Sequence, residues 1–435
     1  MDIIHLLPDS VANQIAAGEV VQRPASVIKE LLENAIDAHA TSVQVILREA
    51  GRELVQVIDN GSGMSATDAR MAFEKHATSK IQQAADLFDL HTMGFRGEAL
   101  ASIAAVAEVE LRTRRQQDET GVTIEIAGST LTRQEACACP VGANFQVRNL
   151  FFNVPARRKF LKSNQTELSN IMNEVQHVAL ANPQLEITVI HNDQQLVQLT
   201  SGSTKQRIIQ LFSKSLGQQL LPLSVDNDLL HISGFVCAPE GSRKKGALQY
   251  FFVNDRFMKH PYFHKAVMDA YTGLIPDSNQ PSYFIGFKIS PQQIDVNIHP
   301  SKTEIKFADE RDIWQCLSAA VHQAIGKFER ITEIDFNAED APQIPVFSRT
   351  ADTSQANFSK PVIPVDRTYN PFKSCPGNWS ELYPKMESDK SGATGSVEEA
   401  GSLFEASELE AQVSFPCFQY GGRYIISQAD GGLLV

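Results

Sequence analysis

The chain has 435 residues, with 39 Lys and Arg against 51 Asp and Glu and a formal net charge of −12. That length predicts two or three domains. The acidic balance excludes a general polyanion binder, so any nucleic-acid contact must come from local basic patches. The six cysteines form no disulfide framework; Cys137 and Cys139 make a lone C-x-C without a second pair, and all six are expected as reduced thiols. The start, MDIIHLLPDS, lacks the basic region and long apolar core of a signal peptide. No apolar run approaches the roughly 18 residues that span a bilayer. A soluble, cytoplasmic protein without membrane contact is expected.

In chain order the first strong element is VIKELLENAIDA, residues 27–38. At about 100° per residue, Val27, Ile28, Leu31, Leu32, Ala35 and Ile36 share one side, and Glu30, Glu33, Asn34 and Asp37 share the other. This is an amphipathic helix entered through Pro24. Such a polar stripe usually faces solvent. Glu30 and Asn34, however, lie at i and i+4 and converge one turn apart. A neutral amide oxygen can ligate a hard cation such as Mg²⁺ without repelling a polyphosphate, and a carboxylate can take a proton from water. That chemistry requires a nucleotide signal elsewhere in the chain.

The stretch LVQVIDNGSGM, residues 54–64, is an alternating strand ending at Asp59, followed by Gly61 and Gly63. It is either a tight turn closed by an Asx side chain or a carboxylate placed to accept an adenine amine. HATSK, residues 76–80, precedes TMGFRGEALASIAAVAEV, residues 92–109. There Gly94 and Gly97 bracket Phe95 and Arg96, and a helix is expected from Glu98 with Leu100, Ile103, Ala104 and Val106 as its apolar side. A glycine loop at a helix N-terminus offers free N–H groups and a positive dipole end, which suits phosphate. It is neither a Walker loop nor a Rossmann fingerprint, since no G-x-x-x-x-G-K-[ST] occurs.

Residues 337–412 change character. They hold 7 of the 20 prolines, and 12 acidic side chains against 6 basic ones, without helical or strand periodicity, as expected of a disordered linker. FPCFQYGGRYIISQADGGLLV then regains a strand-turn-strand pattern around Asp430 and Gly431. A lone hairpin is not a stable unit, so a further domain, cut off after its first strands, is expected over 413–435.

The strings ANQIAAGEVVQRPASVIKELLENAIDA (12–38), DNGSGM (59–64), HATSKI (76–81), GFRGEALASI (94–103) and LFFNVPARRKFL (150–161) occur in one order and spacing. With QYFFVNDRFMKHP (249–261) and DVNIHPSKTEIKF (295–307), they closely resemble the MutL family of DNA mismatch-repair ATPases. That family belongs to the GHKL superfamily, and the resemblance covers about 1–336 with a fainter echo at 413–435. It implies an α+β chain: a GHKL (Bergerat-type) two-layer α/β sandwich over 1–205, then a ribosomal-S5-like α/β transducer domain over 206–336. The implied ligands are ATP and Mg²⁺. By the same resemblance, Glu30 is the general base and Asn34 the Mg²⁺ ligand. Asp59 specifies adenine with Gly63 beside it. Thr78, Ser79 and Lys80, with Gly94, Phe95, Arg96, Gly97 and Leu100, form the lid and phosphate contacts, and Lys302 reaches the γ-phosphate from the second domain.

Three positions depart from the family. His39 replaces a helix-ending glycine of expected positive φ, which His tolerates less well. Ala143 stands where many relatives carry a Thr hydroxyl near the adenine, a contact that Asn144 could take over. Asp255 replaces a turn glycine, which Asp tolerates.

The resemblance further implies non-specific DNA binding, the mismatch sensor MutS as partner, and ATP-dependent pairing of the N-terminal region with a second subunit. The chain would be a matchmaker that hydrolyses ATP slowly. Candidate phosphate contacts are Arg243, Lys244 and Lys245, with Arg256, Lys259 and His260. No metal motif of the family's endonuclease is present. A rival reading, motivated by His39 and Ala143, is a DNA-binding scaffold whose nucleotide site is vestigial.

Overall fold

The computed structural model describes residues 7–81, 83, 86, 89, 90, 92–296 and 304–330, and three short strands near the C-terminus. Lys302 and the expected linker over 337–412 lie outside the described residues. One compact unit spans Met1–Pro342.

Its first half is built on an eight-stranded sheet. The strands are β1 (Ser42–Arg48), β2 (Leu54–Asp59), β3 (Glu108–Arg114), β4 (Gly121–Ala127), β5 (Thr130–Cys137), β6 (Gly142–Arg148), β7 (Glu186–His191) and β8 (Gln194–Leu199). They lie in the order β5-β4-β3-β6-β2-β1-β7-β8. Only β1 and β7 pair in parallel. Helices α1 (Asp9–Val20), α2 (Pro24–Asp37), α3 (Ala66–Met71), α4 (Ala99–Val106), α5 (Pro155–Phe160) and α6 (Asn164–Ala181) interleave with them. The strands alternate as half-buried strands must. Val55, Val57, Val109, Leu111, Phe145 and Val147 join one core with Val27, Ile28, Leu31 and Leu32 of α2 and Ile171 and Val175 of α6. The result is two layers.

Helix α2 buries the side its periodicity predicts. The exception is Glu33, which belongs to the polar stripe yet is only 5 % exposed. The helix ends as its sequence warned. His39 takes φ +57°, and the Ala40 N–H donates back to the Ala35 carbonyl at 3.0 Å, a left-handed closure that glycine makes at no steric cost. The Ser62 N–H donates to the Ala38 carbonyl at 2.9 Å, which fixes the helix end against the turn after β2.

The second half carries a five-stranded sheet, β12-β11-β13-β10-β9, made of β9 (Leu220–Asp226), β10 (Leu230–Cys237), β11 (Gln249–Val253), β12 (Arg256–Met258) and β13 (Tyr283–Ile289). Strands β14 (Ile294–Asp295) and β15 (Lys306–Phe307) pair as a separate short ladder. Helices α9 (Pro261–Ala270) and α10 (Glu310–Arg330) pack on the sheet around Phe251, Phe263, Phe287, Ile313 and Leu317. Between the halves lie α7 (Thr204–Leu211), opened by a Ser203–Gln206 capping box, and α8 (Lys214–Gln218). Ile208 and Leu216 of these helices join Leu180 from the first half to Phe252 and Phe284 from the second. Arg207, 1 % exposed, donates to the carbonyls of Pro183, Leu185 and Thr200. The expected boundary at 205/206 therefore falls inside α7, a helix bound to both halves.

A second unit spans Gln343–Val435. In it β16 (Cys417–Tyr420), β17 (Tyr424–Ala429) and β18 (Gly432–Leu434) form an antiparallel sheet. The strand-turn-strand pattern of the sequence is present, with one strand more than expected. Among the described residues no helix is long and apolar enough to cross a membrane.

Candidate active site

The sheet register sets the first end of the site. Asp59 pairs with Ala143, and Ala143 pairs with Thr113. All three continue the core-facing rows of β2, β6 and β3, so a carboxylate, a methyl and a hydroxyl stand in line at the end of an otherwise apolar face. Asp59 is 8 % exposed. Its Oδ1 accepts the Gly61 N–H at 2.9 Å and the Ala143 N–H at 3.3 Å. Burial nonetheless holds its pKa above the usual carboxylate range, because two neutral donors offset only part of the lost hydration.

Backbone alone can fill the turn that follows. Gly63 has φ +64°, and a Cβ there would stand 2.1 Å from the Arg114 carbonyl oxygen. Asn144 points to the other face of β6, where its Oδ1 accepts from Gln56 at 3.0 Å, so it cannot replace the hydroxyl that Ala143 lacks. The hydroxyl at this end comes from Thr113, which donates to the Gly142 carbonyl at 2.7 Å and accepts the Met64 N–H at 3.0 Å. Local patterning gave no sign of Thr113; only the pairing of β3 with β6 brings it in.

Charged side chains build the other end. Glu30 and Asn34 lie one turn apart on α2, both half-buried. The Lys80 ammonium sits 3.1 Å from Asn34 Oδ1 and 2.5 Å from Asp37 Oδ2. Asp37 also accepts the Met93 N–H at 2.7 Å on Oδ1 and the Gly94 N–H at 3.0 Å on Oδ2. Asp37, a residue without assigned chemistry in the sequence, is thus the anchor of the glycine loop.

The other residues expected at the lid occupy varied settings. Thr78 Oγ1 accepts the Lys80 N–H at 3.1 Å, and Ser79 is exposed. The Gly97 carbonyl accepts the His76 N–H at 3.0 Å. Gly97 has φ +63°, and a Cβ there would meet the Ala77 carbonyl oxygen at 2.5 Å. Phe95 is buried, with the Arg96 guanidinium 5.7 Å from its ring centroid. Leu100 packs on the core from α4, whose N-terminus no side chain caps. The N–H groups of that turn are the ones a phosphate would meet.

The basic cluster is split by the fold. Arg243, Lys244, Lys245 and Lys259 are exposed, whereas Arg256 is 6 % exposed. The β11–β12 turn has two residues, Asn254 and Asp255, with φ +45° and +66°, and Phe251 pairs with Met258. Lys259 therefore returns toward the start of β11, the end near 243–245. Arg256 stays beside the turn and faces inward with Met258. It donates to the carbonyls of Met93, at 2.8 Å, and Thr92. The expectation that Arg256 is a surface phosphate contact is corrected on that geometry. His260 is likewise a helix cap, its Nδ1 accepting the Phe263 N–H at 3.3 Å. Asp255 sits in the turn, which Asp tolerates as expected, and takes φ +66° there.

A two-layer sandwich with a carboxylate at the end of an inner strand and a glycine loop at a helix N-terminus defines a GHKL-type ATPase fold. Comparison agrees on that class. The profile described as "Histidine kinase-, DNA gyrase B-, and HSP90-like ATPase" matches residues 22–140, and "DNA mismatch repair protein, C-terminal domain" matches 208–326. The crystal structure of the N-terminal domain of a DNA repair protein superposes with a TM-score of 0.63 at 22 % identity, over 73 % of this chain and 99 % of that one. The B-subunit of DNA gyrase from Myxococcus xanthus does so at 0.51 and 11 %, over 74 % of this chain and 96 % of that one. These two likenesses concern the fold. The DNA mismatch repair protein MutL of Parabacteroides distasonis is 53 % identical across 100 % of this chain and 73 % of its own length. The chain belongs to the MutL family of DNA mismatch repair proteins.

Proposed function

We propose that this chain is an ATP-operated switch of mismatch repair, which binds Mg-ATP in the α2–sheet cleft and hydrolyses it slowly. The observation that carries the reading is Asp59. Gly61 and Ala143 occupy its Oδ1, and no other described group bonds to its Oδ2, which is left for the adenine amine. The glycine turn lets the base approach the backbone, and the Thr113 hydroxyl stands beside Ala143. At the other end, the Lys80 ammonium 3.1 Å from Asn34 Oδ1 supports that oxygen as a cation ligand. Asn34, with phosphate oxygens, would hold Mg²⁺, which supplies charge neutralisation on the polyphosphate. Glu30, one turn away, would take the proton of the attacking water. With Thr78, Ser79, Lys80 and Arg96 beside them, amides of residues 95–97 and of the uncapped α4 would meet phosphate, while the Gly94 N–H stays on Asp37. Lys302 would reach the γ-phosphate from the second half.

The wider role follows family membership: a matchmaker between MutS and downstream repair enzymes. A second subunit would pair through the ATP-bound N-terminal region. DNA would be held without sequence preference on Arg243, Lys244, Lys245 and Lys259, with affinity falling steeply as salt rises. We take residues 1–205 as the ATPase domain and 206–336 as the transducer. The rival reading, a vestigial site, loses support because His39 still closes α2 with the left-handed turn that a glycine would make. Phosphate release at saturating Mg-ATP, with and without single-stranded DNA, tests the proposal. Turnover that single-stranded DNA raises is expected; none under either condition would favour a non-hydrolysing scaffold.

A further inference from the structure

We propose that Arg256 is a positioning residue that fixes the 92–94 loop from the second half of the molecule, and so couples that half to the nucleotide site. The inference rests on the nucleotide reading above for its consequence, though its geometry stands independently.

Residues 92–94 are held from both sides. The Arg256 guanidinium donates to two successive carbonyls, those of Thr92 and Met93. The next N–H groups, of Met93 and Gly94, donate to the two oxygens of Asp37. Inside the loop, the Thr92 hydroxyl donates to the Gly94 carbonyl at 2.8 Å. The loop then lies directly on the cation-holding group: a Cβ on Gly94 would stand 3.1 Å from Lys80 Nζ and 3.7 Å from Asn34 Oδ1. A displacement of the loop on that scale reaches the residues proposed to hold Mg-ATP.

A guanidinium is an expensive way to fill this space. Burial pushes its pKa down, and only the charges of Glu33, Asp37 and Glu30 on α2 oppose that. An apolar side chain would pack without the desolvation cost. What the guanidinium adds is a planar fork of donors in fixed geometry, which can bind two acceptors at once. Glu33, buried on the polar stripe of α2, stands 3.8 Å from the Lys29 ammonium, and its charge also opposes the depression at Arg256.

The base of the fork is rigid. Asn254, in the turn just before Arg256, donates through Nδ2 to the Ile289 carbonyl at 2.9 Å and accepts the Ile289 N–H on Oδ1 at 3.1 Å. Asp255 pairs with Lys288. The turn is therefore fastened to the last residues of β13. A shift of the end of β13 would therefore move Arg256, and through it the loop.

Hydrogen–deuterium exchange on the full chain tests this without turnover. In nucleotide-free protein, Arg256→Met is expected to speed exchange of the peptide covering 89–98 at least tenfold. Arg256→Lys should give an intermediate increase, because an ammonium cannot match the two-carbonyl fork. Exchange over β9 and β10 should stay unchanged and reports that the fold is intact. If Arg256→Met does not fold, the Arg256→Lys result decides. Unchanged exchange at 89–98 in the folded variants overturns the clamp. The second readout is coupling. A non-hydrolysable Mg-ATP analogue should slow exchange of peptide 249–258 in the parent chain, and that response should be lost in Arg256→Met. A response that survives overturns the coupling. If the parent chain binds no analogue, the nucleotide reading fails, while the nucleotide-free arm still decides the clamp.

Discussion

The two ends of the proposed nucleotide site are built on different principles. At the base end, geometry comes from the backbone: strand register aligns Asp59, Ala143 and Thr113, and Gly63 closes where no side chain fits. At the phosphate end, geometry comes from charge. Asp37, Lys80, Asn34 and Arg256 hold a loop that no regular ladder supports. A strand register shifts only by whole residues, and a shift of one turns every side chain to the other face, so the base end is fixed. An ionic network can exchange partners, so the phosphate end can respond to a ligand.

Four substitutions break or sharpen that contrast. Glu30→Ala at the charged end should lower phosphate release by about 100-fold or more, the usual scale of general-base catalysis, with ATP affinity within about threefold of the parent; near-parental turnover in a single-turnover assay would remove Glu30 as the base. Gly63→Ala attacks the backbone end, where a positive φ and a carbonyl in the way should cost about 2 kcal/mol of folding free energy. Denaturant unfolding reads it, and an unchanged midpoint would show that the base end is less rigid than its packing implies.

Asp59→Asn separates affinity from stability. The amide keeps an acceptor for Gly61 and Ala143 but cannot offer a second anionic oxygen, so nucleotide affinity should fall about tenfold or more, in line with the cost of an unpaired buried polar contact. The nucleotide-free fold should be no less stable. The sign follows from the raised pKa of Asp59. A carboxyl whose folded pKa lies above its unfolded value contributes stability at low pH that is lost as pH rises through the folded pKa. The variant should therefore gain on the parent as pH climbs past the ordinary carboxylate range. Thermal midpoints across pH 4 to 8 check this, and a variant that loses ground with rising pH would contradict it. The smallest effect is expected at His39→Gly, which should stabilise by about 1 kcal/mol by relieving a left-handed residue; a lower thermal midpoint would mean that His39 makes a contact worth more than that strain.

Much of this site can be read from the sequence because its parts are local. The stripe of α2 repeats every turn, the Asp59 strand alternates to its last residue, and the positive φ at His39 follows from helix-end chemistry. What escapes is long-range pairing. Asp37 looks like one more solvated carboxylate until residues 93 and 94 are folded onto it. Arg256 reads as part of a basic cluster until a two-residue turn points it inward.

The sequence by itself determined the elements and the chemistry each could carry: an amphipathic helix with Glu30 and Asn34 one turn apart, a buried carboxylate at a strand end, and a glycine loop at a helix N-terminus. Tertiary structure alone decided which groups meet. Thr113 reaches Ala143 through the β3–β6 register, and Arg256 reaches Met93 across 163 positions of chain. The reason is physical. Helix and strand periods are set within a few residues by backbone geometry, whereas a hydrogen bond between distant segments exists only after burial of the core has brought both to one place.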